Sequence, residues 1–357
     1  KISSDRYEYV LPYYNFSANI FPNNFGSIEL ISDGSNNLSN TNNLKTSIIN
    51  DLNINFNDNI NENYGLKNNF NLYVKNLNTL GKNDPKYKDS PQSKISGMFD
   101  IRTSLPLRKI DDKYNYSLTP QISLRVSPFN MKNYSNEDRE INTDNIFNNN
   151  RLGFNDTFEE GASLTMGINY EKQNLQNTDN FIQFDLATIF RDNEQESLPS
   201  KSRLNKKASN IFGSVKYKFS ENINFDYDFS LDNKFQTFEY NSLNSNISIN
   251  NFVTSFNFIE ENGTTGNTNI IENTSSLNIN ENNNLTFKTR RNRKISLTEY
   301  YDLVYEYKND CLTAGIKYRK TYYQDRDLKP GEDLMFTLTI YPITTIEQKV
   351  DKSLYRN

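Results

Sequence analysis

The stretch Ile223-Asn224-Phe225-Asp226-Tyr227-Asp228-Phe229-Ser230-Leu231-Asp232 alternates without a break between apolar and polar side chains. Successive Cβ atoms of a strand point to opposite faces, so Ile223, Phe225, Tyr227, Phe229 and Leu231 share one side and Asn224, Asp226, Asp228, Ser230 and Asp232 the other. A helix would scatter the same residues around its circumference. The pattern recurs in Leu118, Ile122, Leu124 and Val126 against Thr119, Gln121, Ser123 and Arg125, and in Ala162, Leu164, Met166, Ile168 and Tyr170 against Ser163, Thr165, Asn169 and Glu171. Leu66, Phe70, Leu72 and Val74 repeat it, as do Ile95, Phe99, Ile101 and Leu105.

The same criterion places strands near 7–18, 27–34, 44–56, 65–76, 94–107, 114–128, 160–172, 180–191, 210–219, 222–232, 235–245, 247–259, 268–279, 284–293, 296–308, 311–323 and 333–342. These are about seventeen strands at roughly 21 residues per strand and connection, the spacing of an outer-membrane meander. Turn chemistry separates them at Asn23-Asn24-Phe25-Gly26, Asn57-Asp58-Asn59, Ser220-Glu221-Asn222, Gly263-Thr264-Thr265-Gly266 and Asn282-Asn283. Connections near 77–93 and 129–159 are long, and those near 57–64, 220–221 and 309–310 are short, as external loops and periplasmic turns are. Aromatic residues gather near strand ends, among them Tyr7, Tyr114, Tyr116, Tyr322 and Tyr323, where an interfacial girdle would use them. The expected fold class is all-β, an antiparallel transmembrane β-barrel. A soluble β-sandwich also alternates, but with shorter strands and seldom so many in one series.

Composition narrows the function. Of 357 residues only 35% are hydrophobic, which favours disorder, yet 23 Tyr and 24 Phe with a net charge of -4 oppose it. No apolar run approaches the ~18 residues of a transmembrane helix. The opening Lys1-Ile2-Ser3-Ser4-Asp5 has neither an initiating Met nor an apolar signal region, so the chain reads as part of a longer protein. Mixed charge leaves no nucleic-acid footprint. With no His and one Cys, histidine-based catalysis, histidine metal sites and thiolate clusters are excluded, and no Gly-rich phosphate loop occurs. The chain is therefore read as neither enzyme nor cofactor carrier. Glu159-Glu160 and Glu260-Glu261 read as solvated or cation-binding loop acids, with an acid/base pair as the alternative. The run Thr289-Arg290-Arg291-Asn292-Arg293-Lys294 reads as a solvated turn, or as a site for an anionic lipid headgroup. Cys311 leaves two readings, a partner on another segment or chain and a buried free thiol.

Tyr305-Glu306-Tyr307-Lys308-Asn309-Asp310-Cys311-Leu312-Thr313-Ala314-Gly315-Ile316-Lys317-Tyr318-Arg319-Lys320, followed by Asp325-Arg326-Asp327-Leu328-Lys329-Pro330 and a strand from Leu334 to Ile340, resembles the end of the lipopolysaccharide-assembly family LptD. Ser4-Asp5-Arg6-Tyr7 with Leu11-Pro12-Tyr13 is similar to a mid-barrel strand entry of that family, and Thr41-Asn42 with Ile49-Asn50-Asp51-Leu52 to the strands that follow. Asn150, Arg151, Leu152 and Asp156 ahead of Leu164-Thr165 resemble its inward loop and return strand, although Thr157 stands where a basic residue is common.

The resemblance implies a barrel of about 26 strands of which this is the C-terminal portion, without the N-terminal jellyroll and opening strands. It implies lipopolysaccharide as cargo, an LptE-like lipoprotein plug and a periplasmic LptA-like bridge reached through the jellyroll. It also implies a disulfide from Cys311 to a cysteine outside this chain. A lateral gate along the last strand would use Leu334, Phe336, Leu338 and Ile340, with Pro342 ending the ladder. A passive porin or receptor-type barrel for solutes is the alternative.

Overall fold

The computed structural model describes residues 8–20, 26–39, 42–84, 87–264, 266–322, 330–342 and 344–350. The Ser4–Tyr7 motif, Asn23-Asn24-Phe25, Thr41, Thr265, Tyr323 and the Asp325–Lys329 turn lie outside them. The strands are β1 (Glu8–Ile20), β2 (Gly26–Ser39), β3 (Asn43–Phe56), β4 (Asn59–Asn61), β5 (Leu66–Lys82), β6 (Gln92–Ser104), β7 (Leu107–Ile110), β8 (Tyr114–Ser127), β9 (Gly161–Asn174) and β10 (Phe181–Arg191). They continue as β11 (Ile211–Ser220), β12 (Ile223–Leu231), β13 (Phe238–Ile249), β14 (Phe252–Glu261), β15 (Asn269–Asn280), β16 (Asn283–Asn292), β17 (Leu297–Lys308), β18 (Leu312–Thr321), β19 (Gly331–Ile340) and β20 (Thr344–Lys349). Neighbouring strands pair antiparallel, and the chain forms two compact units.

The first unit takes Lys1–Arg108, Ser117–Asn169 and Leu186–Ile211. Its ladders join β1 to β2, β2 to β3, β3 to β5, β5 to β6 and β6 to β8. The alternation read from sequence becomes a two-faced sheet, but with burial opposite to that of a water-soluble one. Asp100 and Ser123 are 0% exposed, and Asn71, Lys75 and Arg125 lie on the same covered face. On the other face Ile95 is 62% and Leu124 39% exposed, beside Phe99, Ile122 and Val126. Register fixes the sorting: Phe99↔Val126 and Ile101↔Leu124 sit on the apolar side, Asp100↔Arg125 on the polar side. A continuous exposed apolar face demands a nonaqueous neighbour.

The second unit takes Lys109–Tyr116, Tyr170–Asp185 and Phe212–Asn357 and carries the consecutive ladders from β12 to β20. The Ile223–Leu231 stretch is β12, where Asp226↔Asn244 and Asp228↔Ser242 form polar pairs while Phe225 and Tyr227 face away. The Tyr227 and Phe229 rings lie 5.7 Å apart, packing along the apolar side. Asp302 of β17 is buried, and Arg319 donates a fork of two 2.7 Å bonds to it while Lys317 lies 3.6 Å away. A carboxylate inside a strand is tolerated only when paired in this way.

Each expected strand is present, with corrections. The break expected at 246 falls instead at Asn250-Asn251, so Ile247 and Ile249 complete β13; Asn250 turns with φ 50°, a conformation Asn tolerates. The 77–93 connection is shorter than expected, because β5 runs to Lys82 and β6 starts at Gln92. Three short strands, β4, β7 and β20, add to those that the alternation places. The last of them changes a functional expectation: β19 is not the last strand, because β20 pairs along it from Met335↔Lys349 to Ile340↔Thr344. Pro342 lies in the turn between them, where no ladder donor is needed.

Candidate functional site

The segment 128–160, between β8 and β9, packs onto the covered face of the first unit. Its local fold follows from a turn at Asn150-Arg151-Leu152-Gly153. The Gly153 amide bonds the Asn150 carbonyl at 3.0 Å, with Gly153 at φ 67°, a position that favours glycine. The Asn150 amide side chain then clamps Phe154, donating to its carbonyl at 2.7 Å and accepting from its N–H at 2.8 Å. With the turn so fixed, Leu152 and Phe154 are buried alongside Ile141 and Ile146, and the Tyr134 and Phe154 rings stack at 4.4 Å. Each of these fully buried apolar side chains is worth about 1.5–3 kcal/mol. The Phe147 ring presses on β9 at Gly167, where any side chain would meet it at 2.8 Å.

The turn delivers Arg151 into the sheet. Its side chain is fully buried; Nε lies 2.8 Å from Glu159 Oε1, Nη2 2.5 Å from Glu159 Oε2, and the same guanidinium reaches Ser163 at 3.1 Å and Thr165 at 3.0 Å. Arg191 of β10 reaches Glu159 at 3.4 Å and donates to the Glu160 carbonyl. Two further arginines hold the loop backbone, Arg102 donating to the Phe147 carbonyl and Arg125 to the Asn148 carbonyl. Asp100 balances them, 3.4 Å from Arg125 Nε and accepting from Ser123 at 2.7 Å.

Burial pushes the Glu159 carboxyl up, but the charge and hydrogen bonds of Arg151, with Arg125 and Arg191 behind them, outweigh it and hold the group below the usual carboxylate range. Glu159 therefore stays ionised inside the packed segment. Asp156, the third motif residue, bonds Lys132 at 2.9 Å and accepts from the Tyr134 hydroxyl. Burial, then that hydrogen bond, pushes the Tyr134 phenol well above its ordinary range.

Asn150, Arg151 and Asp156 thus belong to one packed segment, each in a different role: clamp, anchor and side support. Glu159 corrects an expectation, since its side chain is 10% exposed and is no solvated loop acid. Its burial depends on Arg151, eight residues away, and on Arg191, far along the chain. The polar face of the strands already held the signal in Arg102, Arg125 and Arg191.

The remaining expected residues lie in the second unit. Leu334, Phe336, Leu338 and Ile340 face Tyr318, Ile316, Ala314 and Leu312 of β18. The Cys311 carbonyl accepts from the Tyr341 N–H at 2.9 Å, which sets Cys311 beside the β19–β20 turn. Its thiol is free and exposed, so the buried-thiol reading fails, and a chain with one cysteine forms no disulfide of its own. Arg290 of the basic run is paired with Glu299 at 2.9 Å and Glu272 at 3.4 Å, in keeping with a solvated strand end.

No curated protein matches. Among solved structures, the siderophore receptor PirA from Acinetobacter baumannii matches with a TM-score of 0.39 at 7% identity, covering 93% of this chain and 65% of that one. The copper transporter OprC matches with a TM-score of 0.29 at 8% identity, covering 94% and 64%. The chain thus spans just under two thirds of the length of either structure. The family model "LptD: LPS transport system D" matches residues 64–283, which is more than half of the chain and includes β5 to β15 with the whole 128–160 segment. An antiparallel sheet with a polar covered face and an apolar exposed face, matched over that span, places the chain in the LptD family, as an integral protein of the outer membrane.

Proposed function

We propose that the full-length protein moves lipopolysaccharide through its barrel and inserts it into the outer leaflet of the outer membrane. The observation that carries this reading is the family match over residues 64–283 on strands whose two faces differ so sharply in polarity. An amphiphile with an anionic sugar head and several acyl chains crosses neither wholly in water nor wholly in lipid. A polar face guides the sugars while the chains leave sideways into the bilayer. The lateral exit is assigned to β20 in place of β19: β20 is short, exposed along its length and paired along one edge to β19. An LptE-like lipoprotein fills the lumen, and an LptA-like bridge delivers cargo through a domain N-terminal to this portion.

A second reading, a passive porin or receptor-type barrel for solutes, draws on the 128–160 segment, which lies on the polar face as a constriction loop does. Depletion of the full-length protein in its native host separates the two. Surface lipopolysaccharide, read by its accessibility to a labelled cationic peptide, is expected to fall as the protein is lost, with small-solute uptake unchanged. Unchanged surface lipopolysaccharide with reduced uptake establishes the porin instead.

A further inference from the structure

The wall of the first unit is interrupted beside β6. On one side β6 pairs with β5 along its whole length, from Ser104↔Lys67 to Gln92↔Thr79. On the other it pairs with β8 only from Phe99↔Val126 to Ser104↔Gln121, which leaves residues 92–98 without a ladder partner on that edge among the described residues. Unpaired edges are normally blunted or covered. Here a cavity of about 470 Å³ lies against the edge, lined by Lys94 and Ser96, by Ile95 between them, and by Tyr87, Lys88, Phe129 and Lys132.

Lys94 and Ser96 project on the face of Met98 and Asp100, which is covered, whereas Ile95 projects on the exposed face with Phe99. One cavity touching both faces of a strand passes its edge. The chain leaving β8 supports this geometry, because the Phe129 ring reaches Gly97 from the apolar side, 3.4 Å from where a Cβ would stand, and three residues on Lys132 pairs with Asp156 at 2.9 Å. The passage is therefore apolar at its outer mouth, at Ile95 and Phe129, and cationic within.

Its charge is unbalanced. Lys132 is answered by Asp156 and also stands 4.9 Å from the centre of the Tyr87 ring, but Lys88 and Lys94 make no salt bridge among the described residues. We infer that this break in the wall is a binding site for an amphiphile with a phosphorylated, anionic head, the head held by Lys88 and Lys94 and an alkyl chain passing Ile95 and Phe129 to the apolar face. The site is a side port in the middle of the chain, separate from β20. It rests on the reading of the apolar face as lipid-facing, and it stands or falls independently of lipopolysaccharide export.

The test uses the detergent-solubilised full-length protein and three probes: dihexanoyl phosphatidic acid, inorganic phosphate, and a neutral alkyl glycoside of matched chain length. Binding is followed by titration calorimetry. Phosphatidic acid is expected to bind more tightly than either other probe, and Lys88→Glu with Lys94→Glu to weaken it at least about tenfold. Ile95→Asn is expected to weaken phosphatidic acid but not phosphate, and Lys67→Glu, remote from the cavity, to change neither. Heat-modifiable mobility in electrophoresis establishes that each variant is folded. Equal binding by the double charge reversal, equal affinity for phosphate and phosphatidic acid, or no preference over the glycoside overturns the port. Normal fall of surface lipopolysaccharide on depletion together with any of those results removes the port and leaves the export function standing.

Discussion

Replacing Arg151 with alanine is expected to free the 128–160 segment from the sheet at a cost of about 3 kcal/mol, the lower end of the range for breaking a buried ion pair. The guanidinium satisfies both oxygens of Glu159 and two hydroxyls of β9. Its loss strands a buried carboxylate whose other close cation is Arg191 at 3.4 Å, and that residual attraction sets the cost at the lower end. A shift of this size raises the open population about hundredfold, so proteinase K is expected to cut within 128–160 about that much faster in the folded protein. Cleavage elsewhere and heat-modifiable mobility stay the same. The double variant Arg151→Met with Glu159→Gln is expected to recover most of the protection, since removing both charges leaves neither one unanswered. Equal protection in the single variant and the native protein would mean that the segment is held by its apolar packing alone.

Leu124→Arg is the second large effect. Leu124 stands on the exposed face of β8 opposite Ile101, with Ile122 and Val126 to either side. An arginine on the lipid face of an outer-membrane strand costs about 2–4 kcal/mol near the bilayer midplane. On a water-exposed strand the same change stays within about 0.5 kcal/mol. Urea unfolding of the full-length protein in phospholipid vesicles, followed by the mobility shift of the folded form, measures the difference. A cost below about 0.5 kcal/mol would remove the apolar face from the membrane.

The strands were legible because period 2 is a local property. The β12 stretch declares its two faces within ten residues, and nothing distant alters that sorting. Boundaries were less legible where Asn is abundant: Asn244, Asn246, Asn250 and Asn251 all offer turn chemistry, and only pairing along Ile249↔Phe252 selects the last two. β20 was hidden behind Pro342, which reads as a terminator when the following strand is short and polar. The candidate site was legible in its turn and not in its partners. Asn150, Arg151 and Asp156 follow a motif, but the burial of Glu159 needs Arg191 brought back from 32 residues further along. The unpaired edge at 92–98 has no local signature at all, because it depends on where β8 stops.

The face that β12 turns toward Asn244 and Ser242 provides the most direct test of lipopolysaccharide passage. A photoreactive amino acid at Asp226, on the polar face of β12, and another at Phe225, on the apolar face, are placed in the full-length protein in living cells. Irradiation during active synthesis is expected to yield lipopolysaccharide adducts at Asp226 that disappear once synthesis is halted, while adducts at Phe225 with membrane lipid persist. Absence of lipopolysaccharide at Asp226 while synthesis continues would contradict passage along the polar face.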